Sequence, residues 1–201
     1  MDWMHPYEKL PLFGTGMFLA VCLIGTHLAM LLKPEPIQSF LKVFPRNNQW
    51  GQILLGIGLA WFWLLVAPEG HGLVSSLAMD LGEFNNAKPL LRILVPVSLI
   101  LVSMSVRDFL AVRALGLLGL MAAAPLLGAA FLKNPDTRLL IPIYTYVLIT
   151  VSLFWVGMPF LFRDAVTWVT ADQKRWKAAS MGGLAYGVIM FICALAFWRG
   201  Y

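Results

Sequence analysis

The sequence is short of charge. Asp, Glu, Lys and Arg make up 12% of its 201 residues, roughly half the share with which a soluble domain clothes its surface. A water-soluble globular fold is excluded on that ground. Cysteine is scarce too. Cys22 and Cys193 both lie inside long apolar runs and read as small buried hydrophobes rather than as a disulfide. No Gly-x-Ser-x-Gly, no phosphate-cradling glycine loop, no His-Glu-x-x-His and no pair of intramembrane aspartates occurs, so no catalytic residue, metal or cofactor is expected. The formal charge of +5 is scattered rather than gathered into a block, which argues against a nucleic-acid partner. The first apolar run is too long for a signal-peptide core and its leader carries Asp2 and Glu8, so no cleaved signal is expected.

What the chain has is apolar length. Hydrophobic residues form 60% of it, in stretches of about twenty, enough to cross a ~30 Å hydrocarbon layer as helix. The pattern predicts an all-α polytopic transmembrane helix bundle, a single integral membrane domain over residues 1–201. Six spans are expected: Leu10–Leu32, Trp50–Ala67, Pro89–Val106, Leu110–Leu132, Leu139–Phe162 and Ala179–Trp198. Lys33-Pro34-Glu35-Pro36 stops the first and Pro68-Glu69-Gly70 the second, because proline supplies no backbone donor and restricts the residue before it. Asn134-Pro135-Asp136 reads as a tight turn between the fourth and fifth. Only Ser105-Val106-Arg107-Asp108 parts the third from the fourth, yet Pro89–Leu132 is too long for one crossing. Three connections, Pro36–Asn47, Gly72–Phe84 and Asp164–Lys177, alternate apolar stripes with polar residues, as helices lying in the headgroup plane do.

Orientation follows from Lys and Arg. One side carries Lys33, Lys42, Arg46, Arg107, Arg113, Arg163, Lys174, Arg175 and Lys177; the other carries Lys9, Lys88, Arg92, Lys133, Arg138 and Arg199. The excess puts both termini on the non-cytoplasmic side of a plasma membrane, the inner membrane in a bacterium. Spans one–two and five–six share a plan, and Gly58-Leu59-Ala60-Trp61 echoes Gly183-Leu184-Ala185-Tyr186. Matches this short arise by chance in so biased an alphabet, and no duplication is inferred.

Lipid tails are as apolar as leucine, so helices associate where small residues let them approach. Gly116, Gly119 and Ala123 share a face of the fourth span. Gly182, Gly183 and Gly187 mark the sixth, and Gly51, Gly56 and Gly58 the second. Trp61, Trp63 and Trp198 are expected at one interface, with Trp50, Trp168 and Trp176 at the other. His27 is the one histidine at membrane depth, which rules out intrachain bis-histidine haem. Intramembrane ionisable residues mark function by default. Ser103, Arg113 and Ser180 are expected at a similar depth, so His27, Ser103, Arg113 and Ser180 form the ligand-binding candidate set, fit for a quinone carbonyl or a lipid phosphate. The plainer account is a histidine bonded to a backbone carbonyl and an Arg113 that snorkels to the interface. His5, Glu69, His71, Asp80 and Glu83 lack compact metal-ligand spacing and read as a solvated face. The expected function is a non-catalytic accessory or scaffold component that meets the lipid bilayer and membrane protein partners. The alternative is a small transporter or quinone- or lipid-binding membrane enzyme using the His27 region.

Overall fold

The computed structural model describes residues 6–7, 9–68, 77–105 and 108–201, and of residues 102, 103 and 105 the backbone alone. The architecture is all-α. The helices are α1 (Leu12–Leu32), α2 (Pro34–Val43), α3 (Asn48–Leu65), α4 (Lys88–Ser105), α5 (Leu110–Ala130), α6 (Leu140–Gly157), α7 (Phe160–Thr170) and α8 (Gln173–Phe197). Among the described residues, five helical stretches are long and apolar enough to cross a membrane: α1, Gly82–Leu101 leading into α4, α5, Asp136–Gly157 containing α6, and α8. The remaining expected span corresponds to α3. Its 18 residues open with Asn48, Gln49 and Gln52, which lower its apolar character at one end.

Local chemistry sets the boundaries. Lys33 leaves helical geometry (φ −130°, ψ 64°) before Pro34, which begins α2 at a position where its missing N–H costs nothing. The Asn47 side-chain oxygen accepts from the N–H groups of Gln49 and Trp50, capping α3. Asp172 does the same for α8 through Lys174. Each such cap is worth about 1 kcal/mol. The expected fifth span breaks earlier than its apolar run. Met158 leaves the helix (φ −129°) ahead of Pro159, and Phe160–Phe162 belong to α7. α8 begins at Gln173, so the Lys174-Arg175-Trp176-Lys177 cluster forms its first turns rather than a separate interfacial stretch.

Two of the three expected interfacial helices are present as α2 and α7. In the third segment, residues 72–76 lie outside the described residues. Gly82 turns with φ +59° ahead of a 3-10 turn over Gly82–Ala87, in place of an amphipathic helix.

α1 packs along α8. α5 lies between α6 and α3, and α2 rests on α7. The main apolar core joins Leu12, Leu19, Ala20 and Leu23 of α1 to Met190, Ala194 and Trp198. α4 is the outlier. Its principal contacts are with α3 and with the 3-10 turn that precedes it, and the guanidinium of Arg92 lies 3.7 Å above the ring of Trp63. Trp176 and Trp198 depart from the expected aromatic belt. Both are almost wholly buried, the Trp176 indole N–H donating to the Met30 carbonyl at 3.0 Å and that of Trp198 to the Thr137 hydroxyl at 2.9 Å. An amphipathic ring suits a membrane interface and a helix seam equally well, provided its N–H finds an acceptor. Trp50, Trp63 and Trp168 are exposed.

Candidate functional site

His27 sits on the seam between α1 and α8. Its Nδ1 lies 2.8 Å from the carbonyl of Leu23, one turn back. A carbonyl only accepts, so Nδ1 carries the proton and donates. The opposite edge of the ring, with Nε2, rests on Gly183, where a Cβ would overlap it. Thr26 donates to Cys22 at 2.8 Å. Ser180, on the same seam, is fully buried and donates to the Trp176 carbonyl at 2.8 Å. Each of these polar groups is closed onto its own helix backbone, the arrangement that minimises the cost of placing it in hydrocarbon.

The four ligand candidates do not converge on one another in equal measure. His27 and Ser180 share the α1–α8 seam. Arg113 is on α5, beside Val112 in a different apolar cluster that includes Phe44 and Phe162. Among the described residues no hydrogen bond or ion pair links Arg113 to His27, and the Arg113 Nε is buried without a hydrogen-bond partner. The Ser103 side chain lies outside the described residues, as do His5, Glu69 and His71. Asp80 serves its own loop, accepting from Asn85 at 2.5 Å and from the Gly82 amide at 2.8 Å. Those bonds, the Asn85 one foremost, hold its carboxyl below the usual range. Among the described residues no group of three His, Cys, Asp or Glu side chains is placed to hold a metal.

The helix-packing residues divide by neighbour. Gly116 and Gly119 face α6. The Ser152 carbonyl lies 2.8 Å from where a Gly116 Cβ would be, and the Ser152 hydroxyl fills the corresponding space at Gly119. Ser152 is fully buried with no partner for that hydroxyl; its small size is what admits the close approach. Ala123 is buried as well. Gly183 and Gly187 face α1, the latter against Leu23 and Ile24. Gly182 is a correction: nothing lies within 4 Å of its would-be Cβ. Successive helical residues point about 100° apart, so it cannot share the face of Gly183. The same holds for Gly56 in α3, whereas Gly51 and Gly58 abut α5 residues. Sequence reasoning passed over Gly16, which lies under the Trp198 indole.

An apolar cavity of about 570 Å³ opens at the end of the bundle opposite α2 and α7, lined by residues of α1, α3, α5 and α6 that include Thr15, Phe18, Trp61, Pro125 and Tyr144. The segment ahead of α1 tucks close by. The Tyr7 backbone packs on Gly128, and its hydroxyl accepts from the Trp61 indole at 2.6 Å. Burial pushes the Tyr7 phenol up, against the smaller opposing effect of that bond. No signal in sequence ties these residues together, because they come from four separate helices.

The class defined by this architecture is an all-α integral membrane bundle. No protein-family model, no curated protein and no solved structure matches the chain.

Proposed function

We propose that the protein is a non-catalytic integral membrane component, an accessory or scaffold subunit that docks α4 against a helix of a partner membrane protein. The state of α4 carries this reading. Leu90, Ile93, Leu94, Val97, Leu101 and Met104 are 49–68% exposed, and their three- and four-residue spacing gathers them into one apolar stripe along the helix. Helices in lipid gain stability from close packing rather than from burial. A helix that packs so little within its own chain keeps that capacity for another. The polar groups of the α1–α8 seam support the same reading, since the Thr26 and Ser180 hydroxyls and His27 Nδ1 each donate to a carbonyl of their own helix. A photo-crosslinking residue placed at Ile93 or Leu101 in native membranes is expected to give a discrete protein adduct, absent when the probe is at Ile143 on α6. Lipid adducts alone at both α4 positions would refute the docking role.

The basic excess around α2, α7 and the start of α8 supports a plasma membrane setting with both termini non-cytoplasmic. With Cys22 and Cys193 replaced by serine, a Tyr201→Cys protein should react with an impermeant maleimide in intact cells. Labelling only after permeabilisation reverses the orientation.

A second reading, a transporter or a quinone- or lipid-binding enzyme, draws support from the apolar cavity. Its size falls in the range of about 300–1,000 Å³ usual for ligand pockets. The residues that reading would use are then Thr15, Trp61 and Tyr144 rather than His27.

A further inference from the structure

At the α2–α7 end of the bundle lies a polar cleft of about 410 Å³, lined by Arg46, Asn48, Asp108, Phe109 and Arg163. Three separate connections build it: the turn into α3, the α4–α5 junction and the start of α7. Arg163 is held in place. Its Nε and Nη2 both reach Asp164, at 2.9 and 2.8 Å, and its guanidinium carbon lies 5.9 Å from the centre of the Phe109 ring. That leaves Nη1 outside the pair. Phe109 adopts a left-handed conformation, φ 60°, rare for a bulky residue. Its carbonyl receives the N–H groups of Val112 and Arg113, so the amino end of α5, the positive end of its dipole, begins at the cleft. Beneath lies an apolar cluster of Phe44, Ala111, Val112 and Phe162.

We infer that this cleft binds a zwitterionic phosphoethanolamine group, with phosphate on Arg46 and Arg163 and the ammonium on Asp108. Two guanidiniums from different connections match the oxygens of a phosphate: Arg46 can grip it with two parallel N–H donors, and Arg163, paired with Asp164 through Nε and Nη2, offers Nη1. Asn48 adds a neutral amide donor. The carboxylate of Asp108 decides the rest. Against a simple anion it is repulsive, whereas an ammonium two carbons from the phosphate satisfies it with N–H donors. The surroundings point to a lipid as the bearer of that group. Val43 on α2 and Phe160 and Trp168 on α7 are exposed, as apolar side chains are on helices set into the headgroup boundary. The site is independent of the docking role of α4.

Free phosphoethanolamine has the same chemistry, so the test must separate the two sources. Delipidated protein in detergent is offered equimolar phosphatidylethanolamine, phosphatidylcholine and phosphatidylglycerol of identical acyl chains, and retained lipid is read by native mass spectrometry. The ethanolamine lipid should be retained in preference. Arg46→Ala and Arg163→Ala should each lower retention of all three by about tenfold or more, the loss of one charge-assisted pair. Asp108→Asn should abolish the ethanolamine preference and keep total binding. All three side chains are exposed, and an unshifted melting temperature verifies the fold. Arg46→Lys, which keeps the charge and loses the fork, should fall between wild type and alanine, and it carries the test if the alanine variant melts early. Wild-type retention in Arg46→Ala, or an ethanolamine preference that survives in Asp108→Asn, overturns the site. Soluble phosphoethanolamine that binds as tightly as the lipid overturns the lipid as its occupant.

Discussion

Gly119→Leu is expected to destabilise the bundle by about 1–3 kcal/mol, the usual cost of forcing extra methylenes into a packed seam. The Ser152 hydroxyl and the Leu148 side chain occupy the space a side chain would need. α5 is also packed on α3, so it cannot swing aside without opening a second contact. Gly182→Leu is the matched control. It makes the same change at a helix position with open space around it and should shift stability by less than about 0.5 kcal/mol, as surface substitutions do. Denaturation in detergent, followed by circular dichroism, gives both numbers. Equal effects from the two substitutions would mean that α5 and α6 are not in contact at Gly119.

Gly183→Ala should behave in opposite ways depending on His27. With the imidazole in place, the new methyl overlaps the ring. The ring must turn, and Nδ1 gives up its bond to the Leu23 carbonyl. Lost bond and crowding together cost about 1–3 kcal/mol, more than the roughly 1 kcal/mol that alanine gains over glycine in helix propensity. With His27→Ala as background the obstruction is gone and the propensity gain remains, so the same substitution becomes neutral or stabilising. The expected coupling energy is about 1–3 kcal/mol, in the range for residues in contact. A cost that is the same in both backgrounds would separate His27 from Gly183 and remove the packing account of this histidine.

Much of this architecture is legible in the sequence, because lipid demands long apolar helices and proline ends them. The stops at Pro34 and at Asn134-Pro135 follow from backbone chemistry alone. Gly116 and Gly119 could be assigned to one seam because three residues of helix return a side chain to nearly the same face. Which of Gly182 and Gly183 meets a neighbour could not be read. Adjacent glycines are chemically identical, and the choice belongs to the partner helix. Trp198 and Gly16 were hidden for another reason: their contact joins positions more than 180 residues apart, beyond any local periodicity. The start of α8 was misplaced because a basic cluster suits a surface loop and a first helical turn alike. Arg46 and Arg163 stand in connections that look unrelated, and the meeting of α2 with α7 brings them to one cleft.

The pairing of α1 with α8 also sets an order in time. About 140 residues separate Leu32 from Gln173. Synthesis at roughly 5–20 residues per second makes that an interval on the order of ten seconds. α5 and α6, joined by a short hairpin, can meet as soon as both are inserted. α1 has no such neighbour and must wait in the bilayer, its Gly16 and Leu23 contacts unmade, until α8 arrives. The nascent chain thus passes through a stage in which its first helix has only its lighter contacts with α2, α5 and α6, and the seam at His27 is the step that completes its packing.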